Sequence, residues 1–260
     1  MKYETLSVEK KNQCIYITLC RSERLNSFDI KLGEELYNIL HKASQDTTIK
    51  TVVIKGTGKG FCAGGDVKEM HLAKNKPLFL RDLTKVIHSC VNEIKTMEKP
   101  VIAAVNGAAF GAGFSLALAC DIVIAVEKVK FCTAFISIGL APGCGTQLLT
   151  RLIGYHKACE YILTSKIFTA EEALKNNIIN TVVKNDELDC EVEKYVDKFR
   201  SFPSIAVGKA KLLINKSYDN NFNNHLELES ITAAYTAGTQ DFNEGVTAFI
   251  EKRKPHFKGT

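Results

Sequence analysis

Residues 61–66 read Phe-Cys-Ala-Gly-Gly-Asp, and residues 106–121 read Asn-Gly-Ala-Ala-Phe-Gly-Ala-Gly-Phe-Ser-Leu-Ala-Leu-Ala-Cys-Asp. Each stretch of small residues follows an apolar run: Val52-Val53-Ile54 before the first, Val101 to Val105 before the second. Glycine without a Cβ lets the backbone approach a ligand closely. Ala112 opens a small-residue helix that runs to Ala119. Its first amides have no partner inside the helix and carry the positive end of its dipole, about half an elementary charge. Two such elements can each aim one N–H at a single oxygen. That arrangement is an oxyanion hole, and it makes polarisation of a carbonyl the expected chemistry. The strand–glycine–helix order also resembles a phosphate-binding turn, but Gly111-Ala112-Gly113 has neither the GxGxxG nor the GxxxxGK[ST] spacing. Tight helix–strand packing would use the same glycines, and the pairing of the two stretches favours a site over that reading.

The rest of the chain supplies an α/β frame for these loops. Ser7–Glu9 and Cys14–Leu19 read as a hairpin, with Ile15, Ile17 and Leu19 alternating with Tyr16 and Thr18. Asp29 is placed to cap a helix whose apolar face carries Leu32, Leu36, Ile39 and Leu40. Val52-Val53-Ile54 is a buried strand ended by Gly56. Leu78 to Met97 reads as a long amphipathic helix with Leu83, Val86, Ile87, Val91 and Ile94 on one stripe, stopped by Pro100. Val101–Val105 and Ile122–Val126 are further buried strands. Strands alternating with helices indicate an α/β core. No strand pattern follows Val182-Val183. From about Pro203 the chain is helix only, with Ile205, Leu212, Leu213, Leu226, Leu228 and Ile231 as its apolar positions.

At 260 residues the chain buries a sizeable core, as one domain or as a core with a small appendage. A net charge of +5, spread along the chain, is too mild for nucleic acid but suits an anionic, phosphorylated small molecule. No run reaches the roughly 18 apolar residues of a membrane span, and the opening Met-Lys-Tyr-Glu-Thr lacks the apolar core of a signal peptide. Nine scattered cysteines without CxxC spacing read as reduced thiols in a cytoplasmic compartment, mostly core residues, and no metal site is expected.

A longer series of motifs now falls into order. It runs through Leu19-Cys20-Arg21 with Leu25-Asn26, Gly60 to Asp66, Lys99 to Gly107, and Cys120 to Ala125. It continues through Ile138 to Pro142, Leu149 to Gly154, Thr169 to Ala173, and Glu244 to Arg253. In this combination the chain resembles the crotonase superfamily, the enoyl-CoA hydratase/isomerase family, over nearly its whole length. The resemblance implies a crotonase spiral of ββα units over 1–200, holding an acyl-CoA site. A C-terminal helical trimerisation region would follow over 201–260. It implies an oxyanion hole for a thioester carbonyl, made by the amides of Gly65 and Ala112. It places coenzyme A contacts at Arg24, at Gly65, Asp66, Val67 and Lys68, and at Phe249 and Lys252, the last two reaching a neighbouring subunit's ligand. The implied substrate is a coenzyme A thioester, as in fatty acid metabolism, with no covalently bound cofactor and no metal. The implied assembly is a homotrimer, or a hexamer of two trimers, with no nucleic-acid or membrane partner.

The chain departs from the family where acid–base chemistry is expected. The two glutamates of the hydratases, which are lyases, correspond to Ser115 and Phe135, and the aspartate of some isomerases to Gly143. Hydration needs one group to activate water and one to protonate the α carbon. Ser115 does neither at neutral pH without a partner base, and Phe135 shapes only an apolar pocket. His71, His88 and Cys144 stand as substitute bases; Asp66 and Asp121 read as structural, and Glu69 and His225 carry no assigned role. The local sequence around Thr133-Ala134-Phe135 is nearest to the isomerase branch. The leading expectation is therefore an enoyl-CoA isomerase-like enzyme that stabilises a thioester enolate. The alternatives are an enoyl-CoA hydratase, an acyl-CoA decarboxylase, or a non-catalytic acyl-CoA-binding subunit. Phe110, Phe114, Phe131 and Phe135 suggest an apolar acyl pocket.

Overall fold

A computed structural model describes residues 3–260; Met1 and Lys2, on which part of the reading of the chain's start falls, lie outside the described residues. The hairpin forms as β1 (Leu6–Lys11) and β2 (Cys14–Leu19) in antiparallel register. The helix α1 (Ile30–Gln45) starts where Asp29 accepts the Leu32 amide at 2.7 Å, and it buries Leu32, Leu36, Ile39 and Leu40. Then come β3 (Thr51–Gly56), β4 (Gly60–Cys62), the short α2 (Val67–Leu72) and the long α3 (Lys76–Thr96). The same order recurs as β5 (Val101–Val105), β6 (Ala108–Phe110) and α4 (Ala112–Ala119). It starts a third time with β7 (Ile122–Val126) and β8 (Lys130–Cys132), followed by α5 (Thr146–Ile153) and α6 (Tyr155–Leu163). The chain continues through β9 (Phe168–Thr169), α7 (Ala170–Lys175), β10 (Thr181–Val183) and α8 (Leu188–Ser201). It finishes with α9 (Ser204–Lys216), α10 (Phe222–Ala237) and α11 (Gln240–Ile250).

Two sheets collect these strands, one of order β1-β2-β3-β5-β7-β10 and one of order β4-β6-β8-β9. In each repeat the first strand joins the large sheet, the second joins the small one, and a helix leads to the next turn. β3, β5 and β7 pair in parallel, and so do β4, β6 and β8. The result is a spiral of ββα units. Because β4 and β6 are parallel neighbours, the segments that leave them emerge side by side at the same end. That is how residues 63–66 and 111–112, distant in sequence, come together.

The small sheet is the part of the fold the hydrophobic pattern does not announce. β4, β6 and β8 are three residues each, too short for alternation to register, and Gly60–Cys62 reads as loop. Two of the expected pocket phenylalanines also belong elsewhere. Phe114 and Phe131 are buried with Phe168, with ring centroids 5.5 to 5.6 Å apart, so they fill the core, and only Phe114 also borders the small cavity beside Ser115. The C-terminal region is helical as expected, but its apolar positions are not its buried ones. α9 buries Gly208 and Lys211, and α10 buries Thr232, whereas Leu226 and Ile231 stand 47% and 58% exposed. No helix among the described residues is long and apolar enough to cross a membrane. All nine cysteines are unpaired thiols, five of them buried.

Candidate active site

The segment after β4 is held on one side only. The Ala63 amide donates to Leu25 O at 3.0 Å, the Phe28 amide to Gly64 O at 2.7 Å, and the Asp66 amide to Phe28 O at 2.8 Å. This bridge is parallel and centred on Phe28 and Gly65. Side-by-side extended segments alternate the direction of their amides. The Gly65 N–H therefore points away from residues 25–28, and it has no acceptor among the described residues. Across from it, Ala112 is the first residue of α4, and its amide likewise has no acceptor. Glycine makes the contact between the two segments possible. Gly64 has φ +103°, and a Cβ there would lie 3.0 Å from Phe110 O and 3.6 Å from Ala112 N. A Cβ on Gly113 would overlap the Cys62 carbonyl oxygen, so α4 seats directly on the end of β4. The arrangement can direct two N–H groups at one developing negative charge.

The positions where carboxylates are expected are occupied as follows. Ser115 is buried on α4, and its hydroxyl lies 3.2 Å from Gly111 O and 3.0 Å from Cys144 O. It acts as a tie between α4 and the loop before α5, with its proton committed to backbone carbonyls. The Phe135 ring tip reaches Gly111, where a Cβ would lie 3.9 Å from Phe135 Cζ. Gly143 contributes its carbonyl to His88, whose Nε2 donates to it at 2.6 Å. Beside Ser115 the chain leaves a cavity of about 10 Å³, bounded among others by Phe114, Pro142, Cys144 and Leu149. That is room for about one water and no more. Ser115→Ala is expected to leave turnover within about twofold and to cost about 1 kcal/mol of stability through the lost tie to Cys144 O. Steady-state kinetics with thermal melting checks both; a loss of turnover beyond tenfold would make Ser115 a participant in the chemistry.

Of the substitute bases, Cys144 lies in the loop before α5 and borders the cavity beside Ser115, and His88 bonds to that loop. His88 is on exposed α3 surface with Nε2 engaged, which leaves Nδ1 free to accept. Cys144 is half-buried, and burial pushes its thiol pKa up, so the thiolate is scarce near neutral pH. His71 stands exposed near the end of α2 and does not border the cavity beside Ser115.

The residues expected to touch coenzyme A divide between the two ends of the chain. Arg24, Val67 and Lys68 are exposed around the loop that presents Gly65. Asp66 is buried and structural, accepting the Lys68 amide at 3.1 Å and the Glu69 amide at 3.3 Å as the cap of α2. Phe249 and Lys252 lie on and just after α11; Phe249 is 85% exposed, with little of its own chain against it. No group of three or more His, Cys, Asp or Glu that could hold a metal occurs among the described residues.

Three contributors to the site have no role assigned by the sequence. Met70 packs its terminal methyl on Gly65, where a Cβ would collide with it. Asn26 is fully buried and donates to Thr57 O at 2.9 Å and Gly60 O at 2.8 Å. Arg21 NH2 stands 2.9 Å from Asp29, 3.2 Å from Asp66 and 3.9 Å from Glu69. Burial, with Asp29 and Asp66 nearby, raises the Glu69 pKa against the pull of Arg21 and Arg24. Arg21 and Asn26 belong to the quoted motif Leu19-Cys20-Arg21 with Leu25-Asn26, which marks them as special without giving a role.

Known proteins match this chain along its length. The sequence model of the enoyl-CoA hydratase/isomerase family matches residues 9–260. The "Probable enoyl-CoA hydratase, mitochondrial" of Dictyostelium discoideum is 38% identical over 252 residues, 96% of this chain and 90% of that protein. The 1,2-epoxyphenylacetyl-CoA isomerase of Escherichia coli is 35% identical over 246 residues, 94% of each chain. The crystal structure of an enoyl-CoA hydratase from Bacillus anthracis superposes with a TM-score of 0.94 at 34% identity, over 99% of this chain and 100% of that one.

Proposed function

The chain belongs to the enoyl-CoA hydratase/isomerase family of the crotonase superfamily and is an enzyme of that family, and from this premise we propose that it shifts the double bond of an enoyl-CoA through a thioester enolate. The observation that carries the proposal is the pair of unpartnered amides at Gly65 and Ala112, set against each other by Gly64. The thioester oxygen sits between them. Removal of a proton from the α carbon moves electrons onto that oxygen, where two N–H dipoles stabilise the charge. The proton returns at the γ carbon and the double bond moves. One modest base suffices for such a shift, whereas hydration asks for two. Ser115 tied to two carbonyls and Phe135, both in place of the hydratase glutamates, weigh against hydration, and Gly143, in place of the isomerase aspartate, leaves the shift to another base. His88, through its free Nδ1, is the base best placed of the three candidates. The relative named an isomerase supports the same side, and the relatives named hydratases mark the alternative.

The remaining features fit this reading. Arg24, Lys68 and Lys252 supply cations for the phosphates of coenzyme A. We assign residues 1–200 to the catalytic core, since α8 packs on β3, β5 and β7, and 201–260 to oligomerisation. Exposed Leu226 and Ile231 suit contacts between copies, as a trimer or a hexamer, and exposed Phe249 suits a neighbour's ligand. Nine unpaired cysteines suit a reducing compartment such as the cytoplasm.

The test is incubation of the purified protein in deuterated water with a 3-enoyl-CoA, crotonyl-CoA and malonyl-CoA, each followed by mass spectrometry. Migration of the double bond in the 3-enoyl ester, with deuterium at its α or γ carbon, is the expected result. Water addition to crotonyl-CoA as the dominant reaction would establish a hydratase. Loss of carbon dioxide from malonyl-CoA alone would establish a decarboxylase.

A further inference from the structure

We propose that Arg21 is a positioning residue for the oxyanion hole, setting the direction of the Gly65 amide by clamping residues 27–29 to residues 66–69. The inference rests on the reading of Gly65 and Ala112 as the oxyanion donors. Gly65 has no side chain to hold it in place. Its amide direction is inherited from the bridge with Phe28 on one side and from the cap of α2 at Asp66 on the other. Arg21 reaches both partners at once. One guanidinium nitrogen lies 2.9 Å from the Asp29 carboxylate and 3.2 Å from that of Asp66, and the other donates to the Ser27 carbonyl. The two carboxylates cap α1 and α2, so a single planar cation fixes two helix starts and the strand bridge between them.

The backbone on the Arg21 side is under strain, which an unclamped segment would release. Leu25 and Asn26 are consecutive non-glycine residues with φ +50° and +56°. Such left-handed positions persist where surrounding bonds over-determine them, and they concentrate at functional sites. Asn26 supplies part of that restraint, accepting the Arg21 amide at 2.9 Å while donating to Thr57 and Gly60. Side-chain burial of Arg21, 12% exposed, keeps water from competing with the clamp. Lysine cannot reproduce it, because a point charge lacks the fork that meets Ser27, Asp29 and Asp66 together.

The test compares wild type with Arg21→Lys and Asp29→Asn, using full-length protein and hexa-2,4-dienoyl-CoA as probe. A conjugated thioester absorbs at longer wavelength when hydrogen-bond donors polarise its carbonyl. This red shift therefore reports the hole itself and not the fold. Asp29→Asn keeps a side chain able to cap α1 while weakening the bond to Arg21. Expected results are a reduced red shift in both variants and a fall in kcat for the 3-enoyl ester of about 10- to 100-fold in Arg21→Lys, with KM within about threefold. Wild-type red shift and kcat in both variants would overturn the proposal. So would losses that track only a lowered melting temperature and lost ester binding, because Arg21 would then be merely structural. Absence of a red shift in wild type that binds the probe would overturn the oxyanion reading of Gly65 and Ala112 instead, and the clamp with it.

Discussion

Ala112→Pro is expected to lower kcat for a 3-enoyl-CoA by about 10²- to 10³-fold, the usual consequence of deleting one oxyanion donor, while the protein still folds. A backbone amide is rarely removable by substitution, but this one is. Ala112 occupies the first position of α4, where proline is favoured, because the missing N–H had no partner in the helix and the ring's fixed φ suits a helix start. The residue before proline must avoid the α region. Gly111, at φ +51° and ψ −121°, is outside it, and having no Cβ it cannot clash with the ring. Proline also carries the same Cβ as alanine. The variant therefore replaces the donor with a ring carbon that faces the same point and leaves the start of α4 otherwise intact, so its melting temperature is expected within a few degrees of wild type. The dienoyl-CoA red shift should fall with kcat. Unchanged turnover in a folded Ala112→Pro would remove Ala112 from the site.

The reading of Ala112 as a helix start came directly from sequence, because Gly111-Ala112-Gly113 after a five-residue apolar strand is a strong local signal. The partner loop is legible for the same reason. What the sequence left unread is what depends on contacts between distant segments. β4, β6 and β8 have no periodicity of their own and exist because each pairs with its predecessor one turn of the spiral away. Phe114 and Phe131 carry the same local signature as a pocket aromatic, and only the fold sends them to the core beside Phe168. The absence of carboxylates at Ser115, Phe135 and Gly143 was visible at once. That Ser115 is a tie to Cys144 O, and His88 a tie to Gly143 O, depends on how the loop before α5 lies over α4 and α3. Arg21 illustrates the limit most clearly. The motif marks Arg21 without giving it a role, and its three carboxylate neighbours come from the starts of two helices, Asp29 at α1 and Asp66 and Glu69 at α2.

The same dependence on distant contacts governs the attachment of the C-terminal helices, and it yields the largest expected effect on stability. Lys211, on α9, is 7% exposed, and its ammonium lies 2.6 Å from Asp121 and donates to Ile94 O at 2.7 Å and Lys99 O at 2.8 Å. Asp121 in turn accepts the Val101 amide at 2.8 Å, so the pair joins α9 to the start of β5 and the end of α4. Burial pulls the Lys211 pKa down, and the Asp121 carboxylate pulls it back only in part. Desolvation is thus the larger influence on the lysine, and the pair as a whole contributes little beyond what a matched neutral pair would. Removing one member is a different matter. Lys211→Met leaves the Asp121 charge and two buried carbonyls without their donor. The expected cost is about 3–5 kcal/mol, or a melting temperature lower by about 10 °C at this chain length. Adding Asp121→Asn to Lys211→Met removes the stranded charge while keeping an acceptor for the Val101 amide. The double variant is therefore expected to regain about half or more of the loss, a coupling that separate additive costs cannot produce. Thermal melting of the two single variants and the double one decides it; strict additivity would show that the ion pair does not fasten α9 to the core.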